Sequence, residues 1–217
     1  MKKIICAIAL VMSVVCASAQ DEKKSSLMIY AGPQYSTANS GAALSTKISF
    51  LAGLQYEREG IIGDDFGLYA GVEYSAKGVK DMMFLDGREG NFDMNYIQLN
   101  LGLKYTKEFW GIEGSGFAGP YVAYGIGGDS EIGGNEFEDG TFGDVHSPSS
   151  GYFYYDGGAG FSKLDYGLNI GVGAEWKNIR LIAGYQKGFA DISNDNVLSD
   201  DFKNYGFYLK VGYAFKF

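Results

Sequence analysis

Strict alternation at the end of the chain constrains the fold more than any other feature. From Tyr205 to Phe217 every odd position carries an aromatic or aliphatic side chain: Tyr205, Phe207, Leu209, Val211, Tyr213, Phe215 and Phe217. The even positions hold Gly206, Tyr208, Lys210, Gly212, Ala214 and Lys216. Successive strand residues point to opposite faces, so this segment is a strand with one unbroken apolar face and one small or polar face. A strand that meets lipid on one side and a hydrated lumen on the other has this pattern.

The same period of two recurs in seven further segments. Residues 47–57 turn Ile48, Phe50, Ala52, Leu54 and Tyr56 one way, and residues 66–75 do so with Phe66, Leu68, Ala70, Val72 and Tyr74. In residues 96–105, Ile97, Leu99, Leu101, Leu103 and Tyr105 oppose Gln98, Asn100, Gly102 and Lys104. Residues 165–176 place Tyr166, Leu168, Ile170, Val172, Ala174 and Trp176 against Asp165, three glycines, Asn169 and Glu175, and residues 179–189 follow in the same style. Residues 27–35 and 117–126 complete the set, although Pro33 and Pro120 each remove a ladder donor and are expected at a strand end or bulge. Eight strands predict an all-β fold, a transmembrane antiparallel up-and-down β-barrel with both termini on the periplasmic side. The inner turns are then residues 58–65, 106–116 and 177–178, and the outer loops 36–46, 76–95, 127–164 and 190–204. Aromatics at strand ends form two girdles: Tyr56, Tyr105, Trp110, Trp176 and Phe217 inside, Tyr35, Tyr74, Tyr185 and Tyr205 outside.

The beginning of the chain fits export. Lys2 and Lys3 precede an apolar run from Ile4 to Cys16, and Ala17-Ser18-Ala19 follows. This is the make-up of a secretory signal peptide over residues 1–19, leaving residues 20–217 as the barrel domain. Val15 before Cys16 disfavours lipid attachment. Both cysteines fall in the removed segment, so no disulfide is expected. Losing Lys2 and Lys3 takes the net charge from -8 to -10, which disfavours nucleic acid as a partner. Hydrophobic residues reach 46%, yet no mature stretch has the roughly eighteen apolar residues of a membrane helix, so the apolar content is spread by alternation.

Two resemblances follow from these residues. Lys210, Gly212, Phe215 and Phe217 resemble the C-terminal assembly signal of bacterial outer-membrane barrels. The stretches 166–176 (YGLNIGVGAEW), 179–185 (IRLIAGY) and 205–213 (YGFYLKVGY) resemble the outer-membrane β-barrel domain of the family often labelled "porin family protein". The resemblance covers most of the mature chain and implies an outer-membrane location in a Gram-negative cell. Its implied partners are outer-membrane lipid, lipopolysaccharide and the barrel assembly machinery. It implies no particular activity, because function resides in sites and not in folds.

An eight-stranded barrel is just wide enough for side chains to fill. The inward set includes Glu57, Glu73, Lys104, Glu175, Arg180 and Lys210, a lumen charge network of both signs, with Glu175 and Arg180 placed to pair across the turn at 177–178. A salt-bridged plug is expected; many inward glycines keep a narrow conduit open as the alternative. The 127–164 segment carries acidic residues and Tyr152, Phe153, Tyr154 and Tyr155, which extend a hairpin or present a surface for an extracellular ligand. The sole histidine, His146, lies near Asp144, Ser147, Ser149 and Ser150 without the spacing of a membrane hydrolase, and residues 191–202 lack the glycine and terminal glutamate of a calcium loop. No catalytic residue, metal or cofactor is expected. The sequence therefore predicts an integral outer-membrane barrel with a structural or surface-interaction role, the alternative being a narrow porin-like channel for small solutes.

Overall fold

The computed structural model describes residues 25–39, 45–83, 89–128, 130–133, 145–147, 162–192 and 202–217. Ten strands run in chain order: β1 (Ser25–Asn39), β2 (Ser45–Ile62), β3 (Phe66–Met83), β4 (Glu89–Phe109), β5 (Ile112–Gly127), β6 (Ser130–Gly133), β7 (Val145–Ser147), β8 (Leu164–Trp176), β9 (Ile179–Gly188) and β10 (Lys203–Lys216). All ten join edge to edge in antiparallel ladders, and those other than β6 and β7 make up the ring. β1 pairs with both β2 and β10, and β3 pairs with β4, so the eight strands close on themselves. Hydrocarbon offers no partner to an unpaired backbone group, and closure removes the edges that would expose one.

The register fixes the size of the cylinder. Paired residues followed once around, from Ser25 through Arg58, Leu68, Leu103, Ala118, Ile170, Tyr185 and Phe207, return to β1 at Tyr35, ten residues beyond the start. Eight strands staggered by ten, at the usual spacing of about 4.8 Å and rise of about 3.3 Å, tilt by about 40° around a backbone radius of about 8 Å. Alternation then sorts the side chains. Along β4, Ile97, Leu99, Leu101, Leu103 and Tyr105 are exposed on the outer wall, while Gln98, Asn100 and Lys104 are buried within.

Several strands outrun their sequence-based limits. β4 has 21 residues. At the tilt above it rises about 50 Å, roughly twice the apolar band of such barrels. The expected outer loops at 36–46 and 76–95 shrink accordingly, since β1 continues to Asn39, β2 begins at Ser45, β3 runs to Met83 and β4 starts at Glu89. Within 127–164, β6 pairs with the outer end of β4 and β7 pairs with β6, so part of that loop extends the sheet. Tyr152 to Tyr155 lie outside the described residues.

On the opposite side the turns are tight. Lys177 and Asn178 form a two-residue hairpin turn with φ of 49° and 72°, the left-handed pair that matches strand twist. The expected turn at 106–116 contracts to Trp110 and Gly111, with φ of 52° and 78°. Neither proline ends a strand. The β1–β10 ladder skips Gly32 and Pro33 and resumes in the same register at Gln34↔Tyr208, while β4–β5 skips Gly119 and Pro120 in the same way. The lost donor thus affects one ladder, and the other neighbour keeps pairing at Pro33↔Phe50 and Pro120↔Leu168.

Four of the interior glycines are covered by aromatic rings. Inward aromatic rings lie over glycines directly opposite them: Tyr30 on Gly53, Tyr69 on Gly102, Phe117 on Gly171 and Tyr208 on Gly184. A Cβ at Gly184 would stand 2.2 Å from the Tyr208 ring. Each large ring therefore needs a neighbour without a side chain.

Two outcomes are expected. Gly184→Val displaces Tyr208 and costs about 1–3 kcal/mol in urea unfolding from micelles, the usual cost of overpacking. Leu101→Arg or Ile170→Arg costs roughly 2–4 kcal/mol, whereas Phe109→Arg beside the tight turn costs about 0–1 kcal/mol. A penalty that did not vary with depth would contradict this placement of the apolar band.

Candidate functional site

The chemistry of this chain is concentrated inside the barrel, in three sets of ion pairs at successive distances from the tight turns. The innermost set joins four strands. Glu175 and Arg180 are directly opposite in the β8–β9 ladder, and Arg180 Nε donates to Glu175 Oε2 at 2.9 Å. Arg180 also reaches across the lumen to Glu57, where Nη1 donates to Oε1. Lys104 Nζ lies 2.8 Å from Glu57 Oε2. Gln55 Nε2 donates to the same carboxylate at 2.7 Å. At the rim, half-exposed Lys216 pairs with Glu175 at 2.7 Å and Glu113 at 3.1 Å.

The middle set centres on Glu73, which is fully buried. Its carboxylate receives Lys210 Nζ at 2.5 Å, the Tyr30 hydroxyl at 2.9 Å and Gln98 Nε2 at 3.2 Å. Lys210 is sandwiched between aromatic rings, 4.6 Å from the Tyr30 centroid and 4.3 Å from that of Tyr208. Tyr208 in turn donates to Asn169 Oδ1 at 2.6 Å. The outermost set pairs Lys77 with Asp165 at 3.0 Å, with Tyr121 and Asn204 also donating to Asp165 and Lys77 lying 4.5 Å from the Tyr121 centroid. Above it an apolar stopper of Val79, Phe92, Met94, Ala190, Ile192 and Phe202 closes the described mouth of the barrel. The segment that supplies it is tied down: Ile192 N donates to Phe202 O at 3.0 Å and Phe202 N to Asp191 Oδ1 at 2.9 Å.

Charge balances within this interior. The buried acidic and basic side chains among the described residues are Glu57, Glu73, Asp165 and Glu175 against Lys77, Lys104, Arg180 and Lys210. Each has an opposite charge in contact, which is the condition under which charges survive burial. Space is equally limited. The cavity beside Lys77, Gln186 and Asn204 measures about 10 Å³, room for about one water. Gln186 Nε2 and Asn204 Oδ1 have no protein partner there, and a single water would satisfy both.

The structure thus brings Glu73, Lys104, Glu175, Arg180 and Lys210 together inside the barrel, with Glu57 linking two of them. Lys77 was missed, and Asp165, although placed on the inward face of residues 165–176, was not counted in the charge network. Lys77 fell in an expected loop, although the run Glu73, Ser75, Lys77, Val79 keeps the inward period and is buried throughout. Of the proposed assembly signal, Lys210 and Gly212 face inward, while Phe215 and Phe217 are exposed on the outer wall. The His146 backbone pairs opposite Glu131 in the β6–β7 ladder. Asp144, Ser149, Ser150 and most of the acidic 127–164 segment, like residues 1–24, lie outside the described residues. Among the described residues no group of three His, Cys, Asp or Glu side chains has the arrangement of a metal site.

Comparison with known proteins agrees with this architecture. The chain is similar in structure to the outer-membrane protein OprG of Pseudomonas aeruginosa, with a TM-score of 0.51 and 11% identity over 89% of this chain and 95% of that one. It also matches Ail, the attachment invasion locus protein of Yersinia pestis, with a TM-score of 0.43 and 17% identity over 90% and 100% of the two chains. No curated protein matches the sequence. A family model described as the outer membrane protein beta-barrel domain matches residues 7–215, and the chain belongs to that family.

Proposed function

We propose that this protein is a sealed outer-membrane barrel with a structural or surface-interaction role and no catalysis, presenting its outer loops on a closed scaffold. The observation that carries the reading is the electrically balanced lumen: four buried acids against four buried bases, rings over glycines, and a cavity of only about 10 Å³ beside Lys77. A conducting pore needs a continuous open path, whereas these groups use the space to bind one another. Residues 127–164 are the candidate contact surface for an extracellular ligand. Lys210, Gly212, Phe215 and Phe217 are proposed to present β10 to the assembly machinery, and residues 1–19 to direct export.

A narrow channel for small solutes is the second reading, favoured by the polar side chains that line the interior from Asp165 to Glu175. Planar-bilayer recording separates the two. The sealed barrel gives no steady conductance, and Glu175→Ala lowers stability without opening a conductance. Reproducible charge-selective conductance altered by Glu175→Ala or Arg180→Ala would reverse the order of the readings.

Breaking a buried pair is expected to cost more than replacing it. Glu73→Gln strands Lys210 and costs about 3–5 kcal/mol, while Glu73→Gln combined with Lys210→Met returns most of that loss. The heat-induced shift of the folded band in detergent gels and urea unfolding both report it. A double variant no more stable than Glu73→Gln would argue against direct coupling. Phe217→Ala should reduce the folded, membrane-inserted fraction in cells; unchanged insertion would remove the assembly role.

A further inference from the structure

The outer wall carries a feature that the lumen does not explain. An apolar groove of about 900 Å³ crosses β4, β5, β8, β9 and β10 between Phe66 on β3 and Tyr35 on β1, and its lining includes the small outward residues Gly116, Ala118 and Ala183. A Cβ at Gly116 would meet nothing within 4 Å. The groove follows two adjacent rungs of the sheet, one of them running from Tyr105 on β4 through Gly116, Val172 and Ala183 to Leu209 on β10. Five strands spaced about 4.8 Å apart make it roughly 19 Å long, and the strand tilt of about 40° inclines it through the bilayer. Its periplasmic end is at Tyr105. Its outer end is framed by Tyr35, Tyr185 and Phe207, the last two with ring centroids 4.9 Å apart.

One cation stands just beyond that outer end. Lys187 is on the same face of β9 as Tyr185, one pleat or about 7 Å further out, opposite Leu168 and Tyr205. It is exposed, and it is the only charged residue on the outward faces of β8 and β9. Eight residues separate it from Ile179 at the tight turn, a rise of about 20 Å, which places it at the outer edge of an apolar band about 25 Å tall. Lys187 forms no ion pair among the described residues. The cation nearest the periplasmic end, Lys107, is already paired with Asp65 at 3.0 Å.

We propose that this groove and Lys187 form a seat for one molecule of lipid A, the phosphorylated glycolipid that anchors lipopolysaccharide, with an acyl chain along the groove and a phosphate on Lys187. An inclined trough with an apolar lining fits a hydrocarbon chain. A peptide would leave its backbone groups without partners there, because the closed sheet offers no free edge. Of the two outward cations one pleat from either end of the groove, Lys107 is neutralised by Asp65 and Lys187 has no ion pair among the described residues, which selects the outer leaflet; Lys177 lies further off, on the tight turn five residues beyond Val172. This inference rests on the outer-membrane placement of the barrel and is independent of whether the lumen conducts.

The test uses the purified, folded full chain in detergent, with native mass spectrometry against lipid A, enzymatically dephosphorylated lipid A and phosphatidylethanolamine. The expected result is one retained lipid A. Loss of the phosphates, or Lys187→Gln, should weaken binding about tenfold, the size of one charge-assisted contact. Gly116→Leu fills the groove at a position with room for the side chain and should abolish retention of all three lipids, while the folded band still shifts on heating. Ala118→Phe serves the same purpose if Gly116→Leu does not fold. Equal retention of the three lipids by the native chain would overturn the proposal, as would undiminished lipid A binding in a folded groove-filled variant.

Discussion

Closure of the hydrogen-bonded ring is the constraint on which everything else depends. With eight strands and a stagger of ten residues, the radius is no longer free, and neither is the volume inside. The chain fills that volume in two complementary ways. At Tyr30, Tyr69, Phe117 and Tyr208 the ring points inward and a residue opposite is glycine: Gly53, Gly102, Gly171 and Gly184. Where no ring fits, long charged side chains reach across and end on each other, as Arg180 does on Glu57. Side-chain volume thus sets the pairing of aromatic with glycine, and chain length sets which charges meet.

Electrostatics then makes the interior specific. Removing a charge from water is expensive, and an opposite charge at hydrogen-bond distance is the available compensation in a space without solvent. Because Glu57, Glu175, Arg180 and Lys104 come from β2, β8, β9 and β4, their network ties the adjacent pair β8 and β9 to β2 and β4, which neighbour neither that pair nor each other in the sheet. The middle set does the same for β3 and β10 through Glu73 and Lys210. These cross-lumen bonds act at right angles to the backbone ladders, so the cylinder resists flattening as well as unzipping. The outer wall obeys a different rule. Lipid accepts any apolar shape there, so a trough of small residues costs little, and Lys187, without an ion pair among the described residues, is free for the headgroup contact proposed above.

The strand pattern was legible because lipid and lumen impose opposite demands on alternate residues. Tyr166 to Trp176 and Tyr205 to Phe217 declared their faces without any knowledge of their neighbours, and the pair Glu175 and Arg180 followed from a two-residue turn. Strand ends were less legible. Above the membrane the lipid no longer enforces an apolar face, so residues 76–83 and 89–95 lost the signal although the ladder continued, and Lys77 was lost with them. Pro33 and Pro120 misled for a related reason, since a barrel strand has two neighbours and one missing donor disturbs only one ladder.

What the sequence determined by itself was local in origin: the period of two, the count of eight, the signs of the inward charges on the membrane-spanning parts of the strands and the tight turn at Lys177 and Asn178. The tertiary structure decided which residues meet across the lumen, because the stagger of ten that brings Arg180 to Glu57 and Lys210 to Glu73 is a property of the closed ring and of no single strand. It also decided that Gly53, Gly102, Gly171 and Gly184 each lie under a ring. That outcome depends on the ring opposite, and a residue's cross-strand partner is set by register, which exists only once the strands have paired.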